Sequence, residues 1–336
     1  MEGSNGAQSM ILPVPVYPDT SELVIVLLLA YVLDIAVGEP PFSVHPVVWM
    51  GRLIGFFKKN IPANNRRIYG LFIGLTTILF GCTIAYLVML FMGIESIPAV
   101  LRYLVAAYFL KATFAIRCLY GAANEVRSEL DAGKLDSARQ KLSMYVSRNT
   151  SKLEEGQVSS AIIETTSENY VDGILSPLLF YACFGPYGLI AAYVFKATST
   201  LDSMVGYTDE RHREVGWFSA KLDDVLNWIP ARVSVIFLSA ATLVVSLVYH
   251  KIKIPDYRTA FKTGIRDGLK TPSPNSGFPM ASIAGALKIK LEKPNTYVLG
   301  NGFVYPVSED IKLTSWIILV AAFFAIVASS IIIWCD

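Results

Sequence analysis

The stretch Leu313–Cys335, LTSWIILVAAFFAIVASSIIIWC, contains no charged side chain. It is longer than the roughly 20 residues a helix needs to cross the hydrocarbon core of a bilayer. Ile68–Ile94, IYGLFIGLTTILFGCTIAYLVMLFMGI, reads the same way. The whole chain agrees with these two spans, because its 336 residues are 53% hydrophobic and only 17% charged. Soluble domains carry about 25% charged residues. The expected fold is all-α, a polytopic integral membrane protein with about 5–7 membrane helices and amphipathic surface helices.

Working outward, Leu23–Val37 holds one acid, Asp34, and reads as a first span. Pro98–Tyr120 is apolar but carries Arg102, Lys111 and Arg117, so one side of it should face protein or water. Gly173–Phe195 is uncharged but interrupted by Pro177 and by Gly185-Pro186, and Val233–Tyr249 is a shorter span candidate. Residues 1–20 read as an N-terminal tail and 21–336 as a single membrane domain. No basic region precedes the first apolar run, so a cleaved signal peptide is not expected. The four cysteines are scattered without metal-ligand spacing, and a net charge of +2 leaves no nucleic-acid footprint.

Arg52, Lys58, Lys59, Arg66 and Arg67 gather in the loop 51–67, which the positive-inside rule places in the cytoplasm, with the N-terminus outside. Residues 121–157 then read as a cytoplasmic amphipathic helical segment turning at Asp131–Lys134, and 250–311 as an extramembrane loop. The implied location is the plasma membrane, crossed several times. One conflict stays open. If Val233–Tyr249 crosses once, the basic segment His250–Lys270 falls on the outer side, against the rule.

A polar block, STLDSMVGYTDERHREVGWFSAKLDDVLNWIPAR (Ser199–Arg232), sits between apolar walls, with Lys196 just before it. Ionisable residues at such positions mark candidate functional sites. Upstream, Ser159–Phe184 reads as one long helix turned by Gly185-Pro186 into a second that ends near Ser203. Glu164, Glu168 and Asp172 stand at i, i+4 and i+8, so they share one face and repel unless cations intervene. Bland readings stand beside these. His45, between prolines at a helix edge, reads more readily as a structural hydrogen-bonder than as a catalyst. Asp209–Glu214 (DERHRE) reads equally as a solvated charge run, and Asp223-Asp224 with Arg232 as a helix-starting acid pair with a structural salt bridge.

Six short motifs run in order along the chain: Asp34–Pro40 (DIAVGEP) with His45-Pro46, Ser167–Asn169 with Asp172 and Ser176-Pro177, Thr200–Tyr207 (TLDSMVGY), Leu222–Asn227 (LDDVLN), Pro230–Arg232, and Ser273–Asn275 with Ala284–Leu287 (AGAL). The ordered set resembles the CobD/CbiB family of cobalamin biosynthesis, the adenosylcobinamide-phosphate synthases, over about Leu23 to Asn295. Glu39 departs mildly from the aspartate common at that place. The resemblance implies a membrane enzyme, with its active site on the cytoplasmic side. Such an enzyme joins a propionate carboxyl of adenosylcobyric acid to aminopropanol or its phosphate, using ATP and Mg2+. It also implies contact with the bilayer and with other membrane enzymes of nucleotide-loop assembly.

A carboxylate is a poor electrophile, so that chemistry needs an acyl phosphate made from ATP, with magnesium on carboxylates and cations on the phosphoryl group. The candidate metal ligands are Glu164, Glu168, Asp172, Asp202, Asp223 and Asp224, and the candidate catalytic groups are Glu168, Asp202 and Lys196. Arg211, Arg213 and Arg232, with Lys196, are candidate phosphate clamps. His45, Asn169, Tyr207, Asn227, Ser273 and Asn275 are candidate substrate-binding residues. No GxxxxGK[ST] loop is present, which removes the Walker type of nucleotide site but not ATP use. Two rival readings remain, a polytopic transporter, for which no inverted repeat is visible, and a non-catalytic membrane sensor.

Overall fold

The computed structural model describes residues 18–206, 213–249 and 254–335. Tyr207 and Arg211 lie outside the described residues, as does most of the charge run around them. Helix α1 (Thr20–Ala36) begins with a reciprocal cap. Asp19 accepts from the Glu22 N–H at 2.8 Å, and the Glu22 carboxylate accepts from the Asp19 N–H at 3.2 Å. Helix α2 (Pro46–Lys59) begins at His45, whose Nδ1 accepts from the Val47 N–H, with Pro46 in the first turn, where no donor is missed. Then come α3 (Arg66–Met92), α4 (Ala99–Lys111), α5 (Ile116–Asp131) and α6 (Leu135–Leu142). The α5–α6 turn falls at Gly133, whose φ of 69° a side chain rarely tolerates.

The long helix expected over Ser159–Phe184 is present in pieces. Helix α7 (Glu155–Tyr170) passes through a π turn at Val171–Leu175 into α8 (Ser176–Cys183). A 3-10 turn at Gly185–Tyr187 then leads into α9 (Gly188–Val205). The remainder is α10 (Trp217–Leu226), α11 (Trp228–Val248), α12 (Tyr257–Asp267), α13 (Gly277–Leu287), the antiparallel strands β1 (Leu291–Lys293) and β2 (Tyr297–Leu299), and α14 (Ser308–Cys335). Residues 250–311, expected as a loop, therefore carry two helices and a hairpin among the described residues. All 11 residues of α13 are buried. Its crossing with α12 is close because Gly264 and Gly285 face it. A Cβ on Gly264 would come within 2.4 Å of Ser282 Oγ, and one on Gly285 within 2.4 Å of the Thr259 carbonyl oxygen.

The protein is an all-α membrane protein apart from this one small hairpin among the described residues. Helices α3, α11 and α14 are each long and apolar enough to cross a membrane, and α4 with α5, bent by 43°, supplies a fourth span if the pair is counted as one. The sequence expectation of about 5–7 counted apolar runs. The structure ends α1 at 17 residues and divides Gly173–Phe195 between α8 and α9 at the Gly185–Tyr187 turn. The three cations in Pro98–Tyr120 face protein, as the sequence required. Arg102 donates to the Met92 carbonyl, Lys111 pairs with acids, and Arg117 Nη1 donates to the carbonyls of Ile35 and Ala36. Helix α14 packs on α1, α5, α7, α8 and α11, while α9 packs on α2, α3, α8 and α10. The end of α9 and the π turn thereby meet α10.

Candidate active site

A cavity of about 280 Å3 opens where these elements meet. Glu168 on α7 and Asp172 in the π turn form one wall, Asp202 and Gly206 at the end of α9 a second, and Asp223 and Asp224 on α10 a third. Asn227 and the turn holding Ser273, Asn275 and Ser276 close it. Thus five carboxylates line one space, with no Lys or Arg among its described lining residues. Like charges packed this way disfavour ionisation. Asp223 is pushed up to about 7 by burial and then by the Asp202 carboxylate.

Amide and hydroxyl side chains hold these walls in place. Asn227 accepts from Ser176 Oγ at 2.7 Å and donates to Asp223 Oδ2 at 3.0 Å, so it fixes the Asp223 carboxylate against α8. Asn275 donates to the Asp224 carbonyl at 2.8 Å and accepts from Arg232 at 3.3 Å, which ties the turn to α10 and α11. Ser273 Oγ accepts from the N–H groups of Asn275 and Ser276, at 3.2 and 3.4 Å. A π turn re-aims the side chains that follow it, and such turns recur at functional sites. Asp172 lies in this turn and lines the cavity beside Glu168.

Several sequence candidates fall elsewhere. Glu164, expected as a metal ligand, is 1% exposed and saturated with donors. It accepts from Arg148 at 2.5 Å, Tyr297 OH at 2.7 Å and Ser160 Oγ at 2.6 Å, so it clamps α7 to the β hairpin. Asn169, expected to bind substrate, lies on the exposed side of α7 and donates to the Thr165 carbonyl at 2.8 Å. Arg232, expected on phosphate, donates to the Trp228 carbonyl at 2.7 Å. Its guanidinium lies 4.2 Å from the Trp228 ring centroid and 4.6 Å from that of Phe278. It braces the rim through Asn275 and does not line the cavity. Arg213 is exposed and also outside the lining.

His45 belongs to a separate cluster. Its Nε2 stands 2.8 Å from Glu39 Oε2 while Nδ1 accepts from Val47, so both ring nitrogens are engaged and the Nε2–H tautomer follows. Lys111 Nζ lies 2.8 Å from Glu39 Oε1 and 3.4 Å from Asp34 Oδ1, and Asp34 Oδ2 accepts the Arg117 N–H at 2.9 Å. Lys196 on α9 is also absent from the cavity lining, but it interacts electrostatically with both Glu39 and Asp172. Sequence reasoning noted Lys111 as a charge in an apolar run without linking it to Glu39. That link needs the crossing of α1 with α4.

Among the described residues, no three Asp, Glu, His or Cys side chains converge as a preformed metal cage. The donor chemistry nevertheless suits magnesium. This ion prefers oxygen ligands, keeps several waters, and is usually held by one or two carboxylates together with substrate phosphates. A cavity with five carboxylates and no cation among its described lining residues fits that partial mode of binding.

Residues 27–321 match the family model described as CobD/Cbib protein. The chain is 40% identical over 276 residues to the probable cobalamin biosynthesis protein CobD of Methanothermobacter thermautotrophicus, covering 82% of this chain and 86% of the relative. It is 40% identical over 271 residues to the cobalamin biosynthesis protein CobD of Yersinia enterocolitica, covering 80% and 82%. No solved structure matches. With a family match across most of its length and relatives at this identity, the chain belongs to the CobD/CbiB family.

Proposed function

We infer that this protein works in cobalamin biosynthesis as an ATP-dependent amide ligase, joining a propionate carboxyl of adenosylcobyric acid to aminopropanol or its phosphate. The observation that carries this reading is the cavity of five carboxylates, walled by the segments that hold the family-like motifs. The propionate oxygen attacks the γ-phosphoryl of ATP, giving an acyl phosphate and ADP. The amine then attacks the acyl carbon, the C–O bond to phosphate breaks, and the amine's proton passes to a carboxylate.

Bound magnesium would neutralise phosphate oxygens as charge moves in the transfer. Asp202, Asp223 and Asp224 are the residues to hold it, steadied by Asn227 and Asn275. In this reading Glu168 and Asp172, on the facing wall, receive the ammonium of the amine and take its proton. Lys196, whose charge acts on Asp172, supplies positive charge to that side. A cavity of about 280 Å3 is smaller than the ~300–1,000 Å3 of sites that enclose drug-sized ligands. A corrin macrocycle is larger still, so it rests outside and only its propionate arm enters.

The test incubates purified protein in detergent with adenosylcobyric acid, ATP and magnesium, and either aminopropanol or its phosphate. Mass spectrometry should find the amide product in at least one mixture. Absence of amide and of nucleotide cleavage in both sinks the ligase reading.

A further inference from the structure

Helix α12, with the turn that follows it at 268–270, presents two parallel stripes to the outside. Arg258, Lys262, Arg266 and Lys270 recur every four residues, and all four are exposed. Beside them run Phe261, Ile265 and Leu269, which are 47%, 54% and 68% exposed. The opposite face, Ala260, Thr263, Gly264 and Asp267, is buried, with Gly264 against Ser282 of α13 and Val235 of α11. No acid stands on the exposed face. Asp267, itself 0% exposed, holds Arg266 Nε at 2.8 Å and Lys270 Nζ at 2.6 Å, and accepts the Gly300 N–H at 3.0 Å. It therefore fixes the basic stripe in place from beneath.

This face suits neither bulk solvent nor hydrocarbon. Water would leave a row of large apolar side chains solvated, and acyl chains would strip water from four cations. An interfacial layer accommodates both stripes at once. At 11 residues the helix is about 16 Å long, too short to cross a core of roughly 30 Å. The turn after α12 also returns to the cavity, since Asn275 donates to the Asp224 carbonyl. The C-terminal end of α12 thus lies near α10.

We propose that α12 lies in the lipid headgroup layer, with Phe261, Ile265 and Leu269 among the upper acyl chains and the basic stripe on anionic phospholipid headgroups. The charge complementarity is one-signed, and the apolar stripe adds the insertion that a soluble acidic partner would not provide. This inference stands apart from the ligase reading and needs no activity.

The test uses the full chain in nanodiscs of phosphatidylcholine, alone or mixed with phosphatidylglycerol. A spin label is placed at Ile265→Cys after the four native cysteines are changed to serine. The label should be relaxed by oxygen far more than by a water-soluble nickel chelate. Native mass spectrometry should find phosphatidylglycerol retained over phosphatidylcholine, with the preference falling about fivefold for each cation removed in Arg258→Gln and Lys262→Gln. Melting of these surface variants, followed by circular dichroism, establishes that they are folded. A label relaxed mainly by nickel, a label shielded from both reagents by a protein partner, or an unchanged lipid preference in the folded variants overturns the proposal.

Discussion

Two groups of acids lie near one another and are treated in opposite ways. Asp34 and Glu39 share Lys111, His45 and the Arg117 N–H, so their charge is answered inside the chain. Glu168, Asp172, Asp202 and Asp223 line a cavity with no cation among its described lining residues, while the fifth acid there, Asp224, stands 3.5 Å from Lys221. Burying unpaired charge is costly, so the first group holds helices together and the second is built for something that arrives. The same contrast recurs within one helix turn, where Glu164 is saturated by donors and Glu168 faces the cavity.

The largest expected effect that tests this contrast is on stability. Lys111→Met strands two acids, and detergent melting should register a loss of roughly 3–5 kcal/mol. A loss below about 1 kcal/mol would mean the paired group is not structural. Next, Asp223→Asn should lower amide formation by about 100-fold or more while the melting temperature holds or rises, because a repulsive charge is gone. A variant that instead melts earlier would place Asp223 with the structural acids. Third, Glu164→Gln should cost roughly 2 kcal/mol of stability, with turnover per folded molecule kept, whereas Glu168→Gln should do the reverse. Equal effects in the two would erase the distinction within α7.

The smallest effect is a pH dependence at Asp267. Burial pushes its pKa up, but Arg266, Lys270 and the Gly300 N–H outweigh that and hold it at about 2. Its folded value is thus below the unfolded one, near 3.9. Its contribution to stability is present above about pH 4 and fades as pH falls toward 2. The gap in melting temperature between wild type and Asp267→Asn should narrow across that window. A gap that is constant with pH would remove the carboxylate's role in fixing the α12 face.

Much of this was legible from residue order. The π turn at Val171–Leu175 was not, because no local pattern marks it, although Glu168 and Asp172 do line one cavity as their i, i+4 spacing implied. Glu164 misled for a related reason. Its partners Arg148 and Tyr297 are distant in sequence, and only the packing of the β hairpin onto α7 brings Tyr297 to it. Asn227 and Asn275 were found as polar residues in the right motifs, but they act on Asp223 and Asp224 as supports at the cavity wall.

The sequence by itself determined an all-α membrane protein, because uncharged runs of spanning length leave a helix little alternative in lipid. It also determined which motifs hold the acids, since ionisable residues stand out against apolar neighbours. Only the tertiary structure decided which acids are answered and which are not. Charge compensation depends on side chains from α1, α4, α7, α9 and α10 meeting within a few ångströms, and residue spacing along one chain does not encode those distances.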